Sequence, residues 1–512
     1  MPAAFTNAQQ MASSILLTNA TILVPSGDTS DHVVALRRHS LLIEGNRISR
    51  ILRDIPPPTK YSDTKILDCT GKIISPGFID THHHLWQTQL KGRHANHTLV
   101  EYMPTGLLQA VNFTPEDIFW GQLGGCLEAL DAGTTTVVDH AHMNISTAHS
   151  ANGVEATIAS GIRSIFCYTP TNRIKSWKPE LVPADLDDWF GDWVQNQFND
   201  LARSAPWADD RVRLGLAFDG YFLPKDVVIG LHGQARKAGV QVITTHCVHG
   251  YPCDSSLVDL LDSYGLLGPD ILLSHATNLT DSDVKKLVKA NAWISSTPET
   301  ELQMGLGNPM CLREDCAGIS SLGIDCHSNN TSDIPTQMRM VLQNARARKN
   351  DPIVAQGKHP RSLDLSAQDA FRLGTIQGAR AIGMDKQIGS IEVGKLADLV
   401  IFDGQTPGMI CAAEEDPVAA IILHSSIRDI DMVIVDGRIC KQNGSLVPVD
   451  FKPTLDEVNI AEQRVDWCTI AQQLLASRKR VQAAIVKAGA DDFEHQVSGT
   501  MRMLPMDGNE SS

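Results

Sequence analysis

The stretch IISPGFIDTHHHLWQTQLKG, residues 73–92, decides how the chain is read. Apolar residues run through IISPGFID, and His82, His83 and His84 follow at once. Side chains two apart on an extended strand share a face. One strand end can therefore offer the imidazoles of His82 and His84 to a single ion, with His83 turned the other way. A solvated polar loop after a buried strand is the rival reading of this stretch alone. The rest of the chain has to choose between them.

Before this stretch, SILLTNATILV, HSLLIEGNRISRIL and TKILDCTGKIIS are short apolar runs broken by Asn, Gly and Asp. They predict a small antiparallel β unit over 14–73, after a loose start and with IPPPTK at 55–60 as a connecting loop. After it, over 74–386, strand-like runs alternate with helical stretches. The runs are TTTVVDHA (134–141), IRSIFCY (162–168), VRLGLAFD (212–219), VQVITTH (240–246), ILLSHA (271–276), AWISST (292–297) and SSLGIDC (320–326). Counted with the first run, these eight strands predict an α/β chain built on a (β/α)8 TIM barrel. An open doubly wound sheet would need a reversal of strand order that no sequence displays.

Strand character returns over 387–450, in GKLADLVIFDG and HSSIRDIDMVIVDGRIC. A small sheet is marginal alone, so this segment is expected to complete a β-sandwich with 14–73. Residues 451–490 read as a C-terminal helical segment, starting where Thr454 and Glu457 have capping-box spacing. Residues 491–512 read as a disordered tail.

Composition excludes several classes. A net charge of −15 argues against nucleic acid or an anionic membrane as partner. No apolar run reaches the roughly 18 residues that span a bilayer, and the N-terminus lacks the pattern of a secretory signal. The 11 cysteines have no regular spacing, which suits free thiols in a reducing cytosol. A cytoplasmic protein with a small-molecule substrate is expected, and a homo-oligomer stays open.

Histidines and one aspartate recur where barrel strands end: His82 and His84 on the first, His246 on the fifth, His275 on the sixth, Asp325 on the eighth. Active sites of this barrel lie at the carboxyl ends of its strands. Imidazoles with a carboxylate suit Zn²⁺ with one position left for water. Any one of these histidines alone reads equally well as a satisfied core residue; the set, in consistent order, does not.

With these residues in view the chain resembles the amidohydrolase superfamily of metal-dependent hydrolases, in the branch of cytosine deaminase, S-adenosylhomocysteine deaminase and the triazine hydrolases. PGFIDTHHHL matches the family's PGFxDxHxH, and LLSHATNLTDSDVKKL resembles its sixth-strand segment. LGIDCHSNN resembles its eighth-strand aspartate, and IGSIEVGKLADLVIFD its return from barrel to β-sandwich. The resemblance implies metal ligands at His82, His84, His246 and Asp325, with His275 binding weakly or holding the metal's water. Binuclear relatives carry a bridging Lys or Glu on the fourth strand, which RVRLGLAFDG lacks. One ion per chain is expected; zinc is the default, and iron(II) fits the same donors.

The implied activity is hydrolysis of a non-peptide C–N bond in a small cyclic or amide compound, of the deaminase type, by a metal-activated hydroxide. Zinc lowers the pKa of its water from about 15.7 to about 7. Asp325 takes the proton and later delivers it to the leaving group, and His275 stabilises the oxyanion. The alternatives are hydrolysis of a cyclic amide, lactone or carbon–halogen bond in the same barrel, and, remotely, a non-catalytic scaffold of the same fold.

Further candidates flank the set. His140 and His142 form a second His-X-His after the second strand, and His142 is a candidate for substrate contact. Trp86 and Gln87 directly follow the metal motif, and Glu299 and Glu301 follow the seventh strand. All four are candidates for substrate binding, with packing or a solvated loop as the plain alternative. The resembled deaminases carry a proton-shuttling Glu three residues after the fifth-strand histidine; here His249 stands there. Its imidazole can donate and accept near neutral pH, so it is read as facing the substrate, with proton transfer resting more on Asp325.

Overall fold

The computed structural model describes residues 14–28, 30–53, 55, 64–248 and 256–503. The N-terminal segment folds into β1 (Ser14–Pro25), β2 (Val33–Glu44), β3 (Arg47–Leu52), β4 (Thr64–Asp68) and β5 (Lys72–Pro76). β1 and β2 pair antiparallel, with Leu17 opposite Leu41 and Ile15 opposite Ile43. Their apolar face needs a cover, and the far end of the chain supplies it. Ile15, Leu17, Ile22, Leu41 and Ile43 pack in one core with Leu399, Ile401 and Ile434.

Eight strands follow: β6 (Phe78–His83), β7 (Thr134–Ala141), β8 (Arg163–Tyr168), β9 (Val212–Ala217), β10 (Ile243–Cys247), β11 (Ile271–His275), β12 (Trp293–Ser296) and β13 (Ser320–Leu322). All pair in parallel, in the order β13-β12-β11-β10-β9-β8-β7-β6. β6 and β7 are buried along their whole length, as strands packed on both faces must be. The two ends of the sheet meet through one parallel bridge, His83 to Asp325. That seam is tight: a Cβ on Gly323 would lie 2.8 Å from the His82 backbone, so only glycine permits the approach. The carboxylate of Asp80 pins it, with Oδ1 accepting from the N–H of His82 and of Ile324, both at 3.1 Å.

The chain then returns to the first sheet through β14 (Leu399–Asp403), β15 (Ile430–Val435), β16 (Arg438–Gln442) and β17 (Ser445–Leu446). β14 lies antiparallel to β5, Ile401 opposite Ile74. The result is one mixed nine-stranded sheet, β17-β16-β15-β14-β5-β1-β2-β3, with β4 also on β1. Arg163 of β8 ties the barrel to it. Its guanidinium donates to Asp398 at 2.8 and 3.2 Å and to Asp436 at 3.2 Å, all three groups buried.

Five helices bear on the site or on the chain end. α1 (Leu99–Thr105) and α2 (Pro115–Asp131) precede β7. Thr114 and Asp117 form a capping box on α2, which ends ahead of Gly133 at φ +89°. α3 (Pro298–Gln303) follows β12, and α4 (Trp467–Ala488) and α5 (Phe493–Met503) close the chain. The capping-box spacing at Thr454 misleads. Thr454 hydroxyl and N–H both donate to Glu155 Oε1, and the helix starts only at Trp467, capped by Asp466. A hairpin of Val449–Phe451 with Gln463–Val465 fills the interval. Where the sequence reads as a disordered tail, residues 493–503 are helical and pack on α1; residues 504–512 lie outside the described residues. Among the described residues no helix is long and apolar enough to cross a membrane.

Candidate active site

His82, His84, His246, His275 and Asp325 converge at the carboxyl ends of the strands. His82 Nε2 and His84 Nε2 lie 3.2 and 3.0 Å from Asp325 Oδ1, and His246 Nε2 lies 3.3 Å from His84 Nε2. His82, His246, His275 and Asp325 each offer a ligand atom within 4.8 Å of the others. Two of these residues sit in the left-handed region, His275 and Asp325, each at φ +69°. Such a conformation costs about 1–3 kcal/mol per residue and survives only where neighbours enforce it. For Asp325 the enforcement is the seam: its N–H donates to His82 C=O at 2.8 Å, and its own C=O accepts from His84 N–H at 3.1 Å.

A second layer of bonds sets each ring. His84 Nδ1 donates to the carbonyl of His140 at 2.8 Å. A carbonyl only accepts, so in the neutral ring His84 Nε2 carries the lone pair. His246 Nδ1 lies 2.8 Å from Asp219 Oδ2, which likewise turns a lone pair on Nε2 inward. Asp219 is held by four contacts: the His246 ring, the His246 N–H and the Thr245 hydroxyl, both at 2.9 Å, and His140 Nε2 at 3.4 Å. His82 Nδ1 meets the Ser274 hydroxyl at 2.8 Å, and His275 Nδ1 the Thr297 hydroxyl at 2.7 Å. His83 points away, bonded to Asp80 Oδ2 and to His327 Nδ1, both at 2.7 Å.

These residues fit a divalent metal. The lone pairs of His84 and His246 face each other at 3.3 Å, which repels unless a cation sits between. A proton can serve the pair: burial opposes it, but the Asp219 charge raises the His246 pKa. A metal serves all the donors at once. Ligands about 2.0–2.1 Å from a tetrahedral ion lie about 3.3–3.4 Å apart, the spacing seen here.

The charges agree with this role. Burial lowers the His82 pKa well below the usual value and that of His275 to about 4, so both rings are neutral and able to ligate or accept. Burial works to raise Asp325, but the surrounding imidazoles, His82 and His84 first, outweigh it and hold the carboxyl well below its usual range.

Above the cluster lies a cavity bordered by His84, His142, His246, His275 and Asp325. Its walls are apolar: Leu99, Tyr102, Met103 and Leu107 on or just after α1, Val248 after β10, Met304 and Leu306 after α3. Of the flanking candidates, His142 borders this cavity and four do not. Trp86 is fully buried behind His142, its indole N–H donating to His142 Nδ1 at 2.9 Å. Gln87 is also buried; its amide donates to the Tyr102 hydroxyl at 2.6 Å. Glu299 accepts from Gln337 at 2.6 Å, and burial, aided by Asp333, pushes its carboxyl to about 7. Glu301, wholly buried, accepts from the Thr297 N–H at 2.7 Å, and burial pushes it to about 8. The reason is helix phase: Thr300 and Met304, four apart, face the cavity, which turns the residues on either side of Thr300 away. His249 lies outside the described residues.

Sequence reasoning passed over Asp80, Tyr102, Met103 and Met304, and gave Asp219 no part in holding a ring. A motif-level signal existed for Asp80, inside the same PGFIDTHHHL run. The cavity walls carry none.

A parallel barrel with four imidazoles and a carboxylate at its mouth defines a metal-dependent hydrolase. The model of the amidohydrolase family matches residues 73–209 and 223–440, and the chain belongs to that family. Similar proteins include a 5'-deoxyadenosine deaminase of Methanobrevibacter smithii, 26% identical over 80% of this chain and 90% of its own length. A 5-methylthioadenosine/S-adenosylhomocysteine deaminase of Desulforudis audaxviator is 24% identical over 88% and 99%. Among solved structures, a zinc-bound adenosine deaminase of Xanthomonas campestris superposes with a TM-score of 0.72 at 20% identity, over 92% of this chain and 98% of its own. An atrazine chlorohydrolase of Arthrobacter aurescens complexed with zinc gives 0.71 at 20%, over 91% and 100%. These structures share the fold.

Proposed function

We propose that the protein is a zinc-dependent aminohydrolase that removes an exocyclic amine from an uncharged amino-heterocycle, adenine nucleosides foremost, with one ion per chain. The observation that carries this reading is the opposed lone-pair geometry of His84 and His246, closed by His82 and Asp325, on the floor of an apolar cavity. A divalent ion held there supplies Lewis-acid chemistry and makes water ionisable near neutral pH. Asp325, kept ionised by the imidazoles around it, accepts the water's proton and returns it to the departing amine. His275, whose Nδ1 is held by Thr297, steadies the negative charge that develops on the attacked group.

Apolar walls from α1 and the segment after α3 clamp a flat ring and exclude water. No Lys or Arg is among the described lining residues, and residues 249–255 contain none. A phosphate would meet no cationic side chain, so nucleosides fit better than nucleotides. The deaminase names of the relatives support the same choice.

The test is ammonia release by the zinc-loaded protein from adenosine, 5'-deoxyadenosine, 5-methylthioadenosine, S-adenosylhomocysteine and cytosine. Ammonia from a purine nucleoside, with amine-for-oxygen exchange in the product mass, is expected. Turnover of none of them, with metal bound, would overturn the reading.

A second reading rests on His249, which stands where the resembled deaminases carry Glu. An imidazole cannot offer a carboxylate to an amidine-like N–H pair, and that favours a cyclic amide or another activated bond. Under either reading His249→Ala lowers turnover about tenfold or more while metal content stays at one equivalent. Unchanged kinetics would remove it from the site.

A further inference from the structure

His142 and Trp86 form a buried pair beside the metal cluster. The His142 ring stacks on that of His84, centroids 4.0 Å apart and planes at 26°. An indole N–H donates and cannot accept. Since Trp86 Nε1 lies 2.9 Å from His142 Nδ1, Nδ1 must hold a lone pair, and a neutral ring then carries its hydrogen on Nε2. His142 borders the cavity, and Nε2 has no partner among the described residues. Trp86 itself is wedged against Phe113 with no exposed surface, so its N–H has one direction to point. The stacked rings thus hold opposite tautomers: His84 turns a lone pair inward, His142 an N–H.

We propose that His142 presents a fixed Nε2–H donor to the substrate, locked in that tautomer by Trp86, and that the substrate must place a hydrogen-bond acceptor, a ring nitrogen or carbonyl oxygen, on the edge facing it. This rests on the reading of the cavity as a substrate site for amino-heterocycles. His142 is then a specificity-determining residue, and Trp86 a positioning residue that acts through it. The physical ground is asymmetry of cost. A buried N–H left without an acceptor loses its hydration with nothing in exchange, so an analogue with C–H in place of the acceptor is rejected more strongly than a mere loss of attraction would give.

Two measurements decide it. Neutron diffraction from deuterated crystals of the zinc-loaded protein shows deuterium on His142 Nε2 and none on Nδ1; deuterium on Nδ1 overturns the proposal. Binding is then measured for adenosine and its 1-deaza, 3-deaza and 7-deaza analogues, each lacking one ring acceptor. One analogue binds about tenfold or more weakly than adenosine to the native protein. That discrimination disappears in His142→Phe and shrinks in Trp86→Phe, where either tautomer becomes available, while both variants keep the native metal content. Equal discrimination in native protein and His142→Phe overturns the donor role, and discrimination fully kept in Trp86→Phe overturns the lock. Were no nucleoside to bind, the adenine reading would fall, and the nuclear density would still decide the tautomer.

Discussion

His82 and His84 leave the end of β6, and His140 and His142 leave the end of β7, with the same one-residue gap. The first pair turns two ring nitrogens toward Asp325, at 3.2 and 3.0 Å. The second pair divides. His140 contributes its backbone, whose carbonyl orients His84; its ring is buried 3.4 Å from Asp219, and neither ring nitrogen has a well-formed hydrogen bond among the described residues. His142 is turned by an indole so that its donor faces the cavity. Spacing places a pair of imidazoles on one face of a strand; the bond made by the other ring nitrogen decides what each imidazole does.

The sharpest break of this comparison is to remove one member of each pair. His84→Ala should lose bound metal and fall to background activity, whereas His142→Ala should retain one equivalent of metal by elemental analysis. Equal metal loss in both would mean the pairs are not different in kind. Next comes the carboxylate that the first pair meets. Asp325→Asn should lower turnover about 10²–10⁴-fold with the thermal unfolding transition still cooperative; native turnover would exclude proton transfer by Asp325.

A smaller effect is expected from the group that sets His246 as the His140 carbonyl sets His84. Asp219→Ala should weaken metal binding about 10–100-fold, read by competition with a chelator of known affinity. Native affinity would show that the His246 ring needs no second partner. The smallest effect belongs to His140. Its service to His84 is through the main chain, so His140→Leu should leave metal affinity within the scatter of replicate titrations. A loss comparable to that of Asp219→Ala would show that the ring, and not the carbonyl, carries the role.

Stability offers an independent measure of how the barrel and the sheet depend on each other. Arg163→Ala leaves Asp398 and Asp436 buried without their cation. Breaking such a network costs about 3–5 kcal/mol, measurable by denaturant unfolding. A change below 1 kcal/mol (about the worth of an exposed pair) would show that water reaches the carboxylates.

The sequence by itself determined the eight-strand alternation, the union of the chain's two ends in one β unit beside the barrel, and the positions of His82, His84, His246, His275 and Asp325 at strand ends; that this unit is one mixed sheet came from the structure. These are local signals. Strand period, turn residues and a motif of two histidines one residue apart survive in a linear reading because the chain within one strand is geometrically simple. Tertiary structure alone decided the rest. Whether Glu299 and Glu301 or Thr300 and Met304 look into the cavity depends on the phase of α3, which a few residues of sequence do not set. Whether Trp86 touches substrate or stands behind His142 depends on a neighbour 56 positions away. Thr454 has the spacing of a helix cap, but Glu155, distant in sequence, takes its donors first. Asp219 shows no motif at all; its part follows from lying one strand over from His246, near enough to hold the ring. Each of these turns on a hydrogen-bond partner or a helix rotation supplied by another element, and such partners exist only once the barrel has closed.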